Sequence, residues 1–408
     1  MAISISYMGT KKKLAPSVAD VIAGCRPGPL LDLFSGTCAV GSAVGQGRQL
    51  WCNDIQRFAA TVASAYFTSK DFPISSMDTA EMALRAYQSN KNILGARFES
   101  CINVEKKCLL SNNTARILKF YSSLPHVANS PSLEKERRRL AKKPSTFPYR
   151  LFSITFAGGY FGLSQAIDVD SIRYTIDYLS ENNCISTDQH RWMLLALGQT
   201  ISKVSTTTGH FAQFAKINAR NSTVYIRQRN RSVWREWLNC IDGLIPEGTA
   251  AWRNRNKVFQ MDGESLLERL AHERERPSVV YADPPYTSDQ YSRYYHVYET
   301  LLLYDYPASE GEGRYRPNRF RSSFSIKSEV GDALESVISK CSNIGATLIL
   351  SYPNNGLLQR SNILLPSLLR KYFSRCEMRK LIGHNHSSLG SSKGRQSYPV
   401  TEMLFVAR

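Results

Sequence analysis

No stretch of this 408-residue sequence approaches the roughly 18 consecutive apolar residues that a membrane-spanning helix needs. Residues 1–16 also lack the apolar core of a secretory signal. With 42% hydrophobic and 11% aromatic residues, the chain still has enough apolar material for roughly two to three domains. We therefore expect a globular protein of the cytoplasm that has no membrane partner.

Patterns typical of disulfide frameworks and metal sites are also missing. The nine cysteines include no C-x-x-C pair, and the seven histidines include no H-E-x-x-H spacing. Even His384-Asn385-His386 lies in a stretch rich in glycine and serine, which is typical of a loop. The sequence therefore predicts reduced, mostly buried thiols and no catalytic metal.

Acidic residues are scarce relative to basic ones. The chain has 52 lysines and arginines against 34 aspartates and glutamates, which gives a formal net charge of +18 and a pI of about 9.5. Such an imbalance costs self-repulsion unless an anionic partner neutralises it, and nucleic acid is the partner it favours. An anionic membrane surface is the alternative, but the sequence offers no basic amphipathic helix with a strong apolar face.

The most informative stretch is residues 279–286, Val-Val-Tyr-Ala-Asp-Pro-Pro-Tyr. A short apolar run that ends in an acid, two prolines and an aromatic predicts a buried strand that breaks into a rigid turn. Because ligands of open α/β sheets bind beyond the carboxyl ends of the strands, Asp283 and Tyr286 are expected to face a crevice. A carboxylate, backbone acceptors and a ring can together hold a planar amine. An ordinary strand end with a proline-rich turn is the alternative.

Residues 30–41 predict another strand end, followed by a glycine-containing loop and a helix. Asp32 supplies an acceptor at the strand end, and Gly36 lets the backbone approach a ligand. Cys38 replaces the middle glycine of G-x-G-x-x-G, which disfavours a dinucleotide ligand. Asp54 ends the next predicted strand 22 residues after Asp32. Related sheets place an acid on ribose hydroxyls at a spacing of about 20 residues.

Two further segments also contain candidate site residues. Asp262 ends a predicted strand 21 residues before Asp283, which leaves room for one helix and the next strand. A helix start signal is the alternative role for this acid. Near the start of the chain, residues 7–13, Tyr-Met-Gly-Thr-Lys-Lys-Lys, precede a predicted first helix. Taken alone, that segment favours a solvated basic turn.

The alternation of strands and helices is lost over residues 67–256, where helical periodicity takes over. We therefore expect a largely helical insert at 67–256 within a discontinuous sheet domain formed by 1–66 and 257–408. Strands at 346–352 and 401–407 are expected to close the sheet.

Three basic segments are candidate nucleic-acid contacts. Residues 225–231 combine arginine, glutamine and tyrosine, and arginine and glutamine can contact base edges. The loop 313–321 interleaves cations with rings, which suits a nucleic-acid strand opened for base extrusion. A helix at 134–143 would present four cations on one face, although a solvated charged helix is an equal explanation. These cations are Lys135, Arg138, Arg139 and Lys142.

The order of these motifs resembles that of the Dam-like alpha group of adenine-N6 DNA methyltransferases. In chain order they are the N-terminal basic motif, the glycine loop, the second acid, the insert, the third acid and Asp-Pro-Pro-Tyr. Residues 155–165 and 209–213 resemble further segments of that group. The resemblance implies an α/β fold, a Rossmann-like class I methyltransferase sheet that is mostly parallel with a C-terminal antiparallel strand. It also implies a helical inserted DNA-recognition domain.

The same resemblance implies a cofactor and a set of site residues. S-adenosylmethionine would be bound by Tyr7, Lys11, Asp32, Phe34, Gly36, Asp54 and Asp262. The catalytic residues would be Asp283, Pro284, Pro285 and Tyr286.

The implied function is site-specific methylation of adenine N6 after the base is flipped out of double-stranded DNA. A restriction nuclease or another defence-system subunit would be a further partner. Cytosine-N4 or RNA methylation is the first alternative. A DNA-binding regulatory protein with a vestigial cofactor pocket is the second, because Cys38 departs from the D-x-F-x-G-x-G loop of the family. A dehydrogenase is disfavoured by the same glycine pattern.

Overall fold

The computed structural model describes residues 11–359, 363–387 and 397–408. The chain divides into two compact units, and each is discontinuous in sequence. The first unit comprises Met1–Lys70, Pro246–Ser292 and Phe320–Arg408; the second comprises Asp71–Ile245 and Arg293–Arg319. Residues 293–319 therefore group with the helical region, although their position in the sequence suggested the sheet domain.

The first unit is built on a sheet. Its strands are β1 (Leu30–Asp32), β2 (Leu50–Asn53), β3 (Lys257–Phe259), β4 (Val279–Ala282), β5 (Thr347–Pro353), β6 (Cys376–Ser387) and β7 (Ser397–Ala407). In the described residues, these seven strands form one sheet in the order β3-β2-β1-β4-β5-β7-β6. Strands β3 to β5 pair in parallel, whereas β7 is antiparallel to both β5 and β6. The predicted α/β fold, a mostly parallel sheet with a C-terminal antiparallel strand, is confirmed.

Helices occupy most of the remaining chain. In chain order they are α1 (Ala15–Ala23), α2 (Ala39–Val44), α3 (Arg57–Thr68), α4 (Ser76–Arg97), α5 (Glu99–Leu110), α6 (Thr114–Ser123), α7 (Pro131–Ala141), α8 (Leu151–Thr155), α9 (Leu163–Glu181), α10 (Thr187–Val204), α11 (Ser222–Arg229), α12 (Val233–Asp242), α13 (Ala250–Arg253), α14 (Gly263–Ala271), α15 (Ser292–Leu303), α16 (Val330–Asn343) and α17 (Leu365–Arg370). No described helix combines the length and apolar character needed to cross a membrane.

The core of the first unit explains why its central strands are continuous apolar runs. Strands β1, β2 and β4 are buried along their whole length, so both of their faces need apolar side chains. Alternate residues such as Leu31, Val280 and Leu348 share one face and belong to the same core as side chains of α14, α16 and α17. Burial of each such aliphatic side chain contributes about 1.5–3 kcal/mol.

The second unit is a helical assembly in which α9 packs against α4, α8 and α10. Ser186 caps α10 and Gln189 completes a capping box, as expected for a helix start at this serine. The segment 293–319 joins this unit through buried polar contacts. The Tyr304 hydroxyl donates to Asp170 at 2.6 Å.

One predicted loop is wrong. His384-Asn385-His386 lies in β6, where its backbone pairs with Val400, Pro399 and Tyr398 of β7. The local composition suggested a turn, but a long antiparallel partner satisfies the backbone groups of these residues. Residues 388–396, which contain most of the remaining glycine- and serine-rich stretch, lie outside the described residues.

Candidate active site

The carboxyl ends of four parallel strands meet at one edge of the sheet of the first unit. The side-chain amide of Asn53, at the end of β2, fastens three of these ends together. Its Nδ2 donates to the carbonyls of Leu33 and Met261 at 3.0 and 3.2 Å, and its Oδ1 accepts from the Met261 amide at 3.2 Å. These hydrogen bonds therefore hold the ends of the three strands in fixed positions relative to one another.

A cleft with about 1130 Å³ of space, part of it continuous with solvent, lies along this edge. Tyr7, one of the predicted site residues, lies outside the described residues. The other predicted site residues all line the cleft: Lys11, Asp32, Phe34, Gly36, Asp54, Asp262, Asp283, Pro284, Pro285 and Tyr286.

Two residues in the loop after β1 have a left-handed backbone conformation. Gly36 has φ +49°, and the buried Cys38 has φ 60° and ψ 30° at the start of α2. The left-handed backbone expected of the second family glycine is thus present at Cys38, although a side chain there costs about 1–2 kcal/mol. The Gly36 amide donates to Asp54 Oδ2 at 3.0 Å, which holds the loop against the end of β2.

Asp54 is a buried carboxylate with two backbone donors. Besides Gly36, the Gln56 amide donates to its Oδ1 at 2.9 Å. Burial raises the pKa of Asp54 to about 6, although the two backbone hydrogen bonds act in the opposite direction. Asp54 therefore shapes the loop and also presents a carboxylate to the cleft.

Asp32 is buried even more completely. Burial raises its pKa well above the usual value, and the nearby carboxylates of Asp283 and Asp54 raise it further. Within the described part of the chain, its Oδ1 has no hydrogen-bond partner. An unpaired buried carboxylate oxygen is costly, so this position suits a bound ammonium group or another cation.

Asp262 has a structural role and also faces the cleft. It caps α14, where its Oδ1 accepts from the backbone amides of Glu264 and Ser265 at 3.0 and 3.1 Å. The expected alternative, a helix start signal, is therefore present at the same residue that lines the cleft.

Lys11 lies between two carboxylates. Its Nζ is 3.1 Å from Asp283 Oδ1 and 2.9 Å from Glu402 Oε1. Glu402 also accepts a hydrogen bond from Ser351 Oγ at 2.5 Å. Burial disfavours the charge on Lys11, but the two carboxylates outweigh it and raise the pKa of Lys11 above its usual value.

Glu402 was not predicted as a site residue. Its strand was expected from the apolar run 401–407, and the acid within that run was the available signal. In the structure Glu402 is buried on β7 opposite Pro353 of β5. Sequence spacing could not connect it with Lys11, since the contact depends on the folding of distant strands.

Aromatic side chains form other walls of the cleft. Tyr286 is 9% exposed and packs edge-on against Tyr352, with ring centroids 6.4 Å apart. Phe34 packs edge-on against Phe324 at 5.3 Å. Residues 322–324 were not predicted as part of the site, although they follow the candidate loop 313–321, whose last residues Phe320 and Arg321 also line the cleft. Two hydrogen bonds between Gln290 and the Ser322 backbone hold that segment in place.

Several basic residues singled out in the sequence have internal roles in the second unit. Arg229 is buried and donates to the Gly159 carbonyl at 2.6 Å, and Gln228 donates to the Ser205 carbonyl at 3.2 Å. Arg314 donates to the carbonyls of Thr155 and Ala157 at 2.7 Å. The buried arginines Arg229 and Arg314 and the half-buried amide of Gln228 thus bind backbone carbonyls of their own unit. The side chains of Lys135, Arg138 and Arg139 of α7, and of Lys142 at its C-terminal cap, are exposed.

Comparison with known families decides the classification. Residues 7–122 and 253–344, about half of the chain, match the family model described as D12 class N6 adenine-specific DNA methyltransferase. The chain belongs to this family. This match confirms the predicted membership of an adenine-N6 DNA methyltransferase family. The finer assignment to the Dam-like group remains a prediction.

Curated relatives of this D12-class chain include three methylases. Modification methylase StsI of Streptococcus sanguinis is 22% identical over 406 residues, 98% of this chain and 51% of the relative. Type II methyltransferase M.FokI of Planomicrobium okeanokoites is 26% identical over 205 residues, which are 50% of this chain and 28% of the relative. Modification methylase LlaI of Lactococcus lactis subsp. lactis is 22% identical over 355 residues, 86% and 46% of the two chains. The chain thus spans about half or less of the length of these relatives.

Proposed function

We propose that this protein transfers a methyl group from S-adenosylmethionine to N6 of adenine in double-stranded DNA, as the modification enzyme of a restriction system. The observation that carries the proposal is the meeting of three strand-end acids with Asp-Pro-Pro-Tyr in one cleft of a D12-class chain. The names of the relatives, modification methylase and type II methyltransferase, support the restriction setting. A restriction nuclease or another defence-system subunit is the proposed partner.

The residues of the cleft fit this cofactor. When bound, S-adenosylmethionine supplies an electrophilic methyl group on a positively charged sulfur. Asp32, with its unpaired buried oxygen, would receive the cationic amino group. Asp54 would accept from the ribose hydroxyls, since each of its oxygens has a lone pair beyond the backbone bond it already accepts. The remaining proposed contacts come from Tyr7, Lys11, Phe34, Gly36 and Asp262.

Asp283, Pro284 and Tyr286 would hold the target base. The N6 lone pair of adenine is delocalised into the ring, so the amino group must be oriented before it can react. The Asp283 carboxylate and the Pro284 carbonyl would accept its two N–H hydrogens, and Tyr286 would stack on the extruded base. Extrusion costs a few kcal/mol, which stacking and phosphate contacts offset.

Replacement of Asp283 tests this function. Asp283→Ala should lower the yield of N6-methyladenine by at least about 100-fold, because the amino group loses its main acceptor. S-adenosylmethionine should still bind, with its affinity lowered on the order of tenfold by the loss of one negative charge, far less than the loss of product. The measurement is mass spectrometry of nucleosides from duplex DNA after incubation with enzyme and cofactor, with cofactor affinity measured by calorimetry.

Asp289→Asn provides a matched control, since this exposed acid lies in the same loop and does not line the cleft. It should retain normal turnover. Undiminished methylation by Asp283→Ala would remove Asp283 from the mechanism. A product methylated at cytosine N4, or in RNA only, would replace the proposed substrate.

The two units suggest a division of labour. We propose that cofactor binding and catalysis belong to the sheet domain predicted at 1–66 and 257–408, and that DNA recognition belongs to the helical insert predicted at 67–256. A cytoplasmic location remains a prediction from the sequence.

A further inference from the structure

We infer that Glu402 is a positioning residue of the methyl-donor site. It balances the charge of Lys11, so that the cleft stays attractive to a sulfonium and Asp283 stays available as an acceptor. This inference rests on the proposed function, because it concerns how the cleft receives the methyl donor.

The first support is the burial of the three charged groups. The side chains of Lys11, Asp283 and Glu402 are 6%, 15% and 1% exposed. Buried charges are tolerated only when they are paired, and Lys11 contacts both carboxylates at 2.9–3.1 Å. If Glu402 carried no charge, Lys11 would form its ion pair with Asp283 alone.

The second support is how Glu402 is held. It lies on β7 opposite Pro353, and Ser351 of β5 donates to the same Oε1 that contacts Lys11. Strand β5 pairs directly with β4, which ends at the Asp283 turn. Strands β5 and β7 thus hold the Glu402 carboxylate in a fixed position beside Lys11.

The third support is the balance of charge around the cleft. Lys11, Asp283 and Glu402 together carry a net charge of −1 when all are ionised. The other titratable groups that face them are Asp32, Tyr281 and Tyr286, and Asp54 faces Asp32. In a partly buried site with an effective dielectric constant of about 20, one unit charge at about 10 Å from a cation changes its affinity on the order of tenfold.

The test compares two ligands that differ by one methyl group and one positive charge. S-adenosylmethionine carries a sulfonium, whereas S-adenosylhomocysteine is the neutral thioether. For Glu402→Gln, calorimetry should show affinity for S-adenosylmethionine reduced on the order of tenfold, and affinity for S-adenosylhomocysteine reduced less than about twofold. A merely structural defect would weaken both ligands equally, and that result would overturn the inference.

A charge cycle provides a second test, in which the substitution at Glu402 is combined with removal of the buried cation that it faces. Lys11→Met should raise the preference for S-adenosylmethionine over S-adenosylhomocysteine. The double variant Lys11→Met with Glu402→Gln should return the preference to the wild-type value, because the net charge is −1 again. Failure of the double variant to restore the preference would also overturn the inference.

Two glutamates serve as matched controls. Glu377→Gln removes an exposed acid on the neighbouring strand β6 and should leave both affinities unchanged. Glu105→Gln alters a buried acid of the second unit, where it accepts from the amides of Leu163 and Ser164, and should lower the melting temperature without changing the ligand preference. If the wild-type protein bound neither ligand, the proposed function itself would fall.

Discussion

At the scale of single residues, the buried carboxylates of Asp32 and Asp54 are unfavourable as charges until a cation reaches them. Burial raises the pKa of Asp54 to about 6 from its ordinary 3.8 and raises that of Asp32 well above the same value. A carboxylate with a raised pKa stabilises the fold below its ordinary pKa, and this contribution is lost as the pH rises through the folded value. The protein without a bound cation is therefore less stable once these groups ionise.

Ligand binding should show the opposite pH dependence. We expect the affinity for S-adenosylmethionine to fall as the pH is lowered through about 6, because protonation neutralises the acid that would face the cofactor. Calorimetric titrations between about pH 8 and pH 5 would measure this change, and the thermal shift caused by the cofactor should shrink in parallel. Asp54→Asn should flatten the profile. An affinity independent of pH across this range would contradict the assignment of Asp54.

Cys38 gives a prediction about backbone strain. Its φ of 60° favours glycine, whereas its buried thiol contributes packing. Cys38→Gly relieves about 1–2 kcal/mol of strain and loses a similar amount of packing, so its net effect on the free energy of unfolding should be small. Cys38→Val should destabilise by at least about 1 kcal/mol, since a branched side chain is least compatible with this conformation. Urea unfolding would compare the variants. Equal stability of the valine and glycine variants would show that φ at Cys38 is not a constraint.

The residues that could be predicted from sequence are those whose role follows from local order. Asp32, Asp54 and Asp283 each end an apolar run, and parallel strands bring such ends to one edge. Asn53 and Glu402 could not be predicted in this way. Met261 lies 208 residues from Asn53, and Lys11 lies 391 residues from Glu402, so these contacts depend on which strands become neighbours.

At the scale of secondary-structure elements, α7 and its C-terminal cap carry a stripe of exposed cations beside acids that are paired. Its acids are engaged by arginines: Glu134 contacts Arg137 at 2.7 Å, and Glu136 contacts Arg97 and Arg150 at 2.6 and 2.8 Å. Lys135, Arg138, Arg139 and Lys142 form an exposed stripe, and Arg138 also contacts Glu134 at 2.8 Å. Because both acids are paired with arginines, this stripe presents mainly positive charge.

That stripe should contact DNA phosphates if the proposed substrate is correct. Replacing Lys135, Arg139 and Lys142 with glutamine should weaken DNA binding for all sequences and reduce the slope of log K against log [salt] by about 0.9 for each phosphate that is no longer neutralised. Fluorescence anisotropy at several salt concentrations would measure the slope. Lys106→Gln with Lys107→Gln, on the exposed surface of α5, is the comparison. An equal decrease in slope per charge in both variants would mean that α7 has no special role.

Local pattern predicted elements well where the burial pattern was simple. The strands β1, β2 and β4 and the largely helical character of residues 67–256 were expected, because apolar periodicity reports the buried face directly. Strand β6 was missed, since its stabilising partner β7 lies beyond a glycine- and serine-rich stretch that favours a loop. Pairing with a distant strand overrode the local preference.

At the scale of the whole molecule, each of the two units is assembled from separate segments of the chain, and one segment does not belong to the unit that its place in the sequence suggested. Residues 293–319 begin seven residues after Tyr286, yet they belong to the helical unit. The tie is the buried Asp170, which accepts from the Tyr304 hydroxyl at 2.6 Å and from the Phe152 and Ser153 amides at 2.7 and 2.8 Å. Sequence order alone could not show this, because the contact joins residues that are 134 positions apart.

Tyr304→Phe should therefore destabilise the helical unit selectively. It removes one donor from a buried carboxylate, which costs about 1–3 kcal/mol. Hydrogen exchange should report faster opening of α8 and α9, whereas amides in β1, β4 and β5 of the first unit should keep their protection. Tyr372→Phe, which removes a 2.8 Å hydrogen bond to Glu335 in the first unit, is the reciprocal control and should leave α9 unchanged. An equal loss of protection in both units would mean that they open as one cooperative body, and an unchanged α9 would mean that Tyr304 does not secure residues 293–319 to the helical unit.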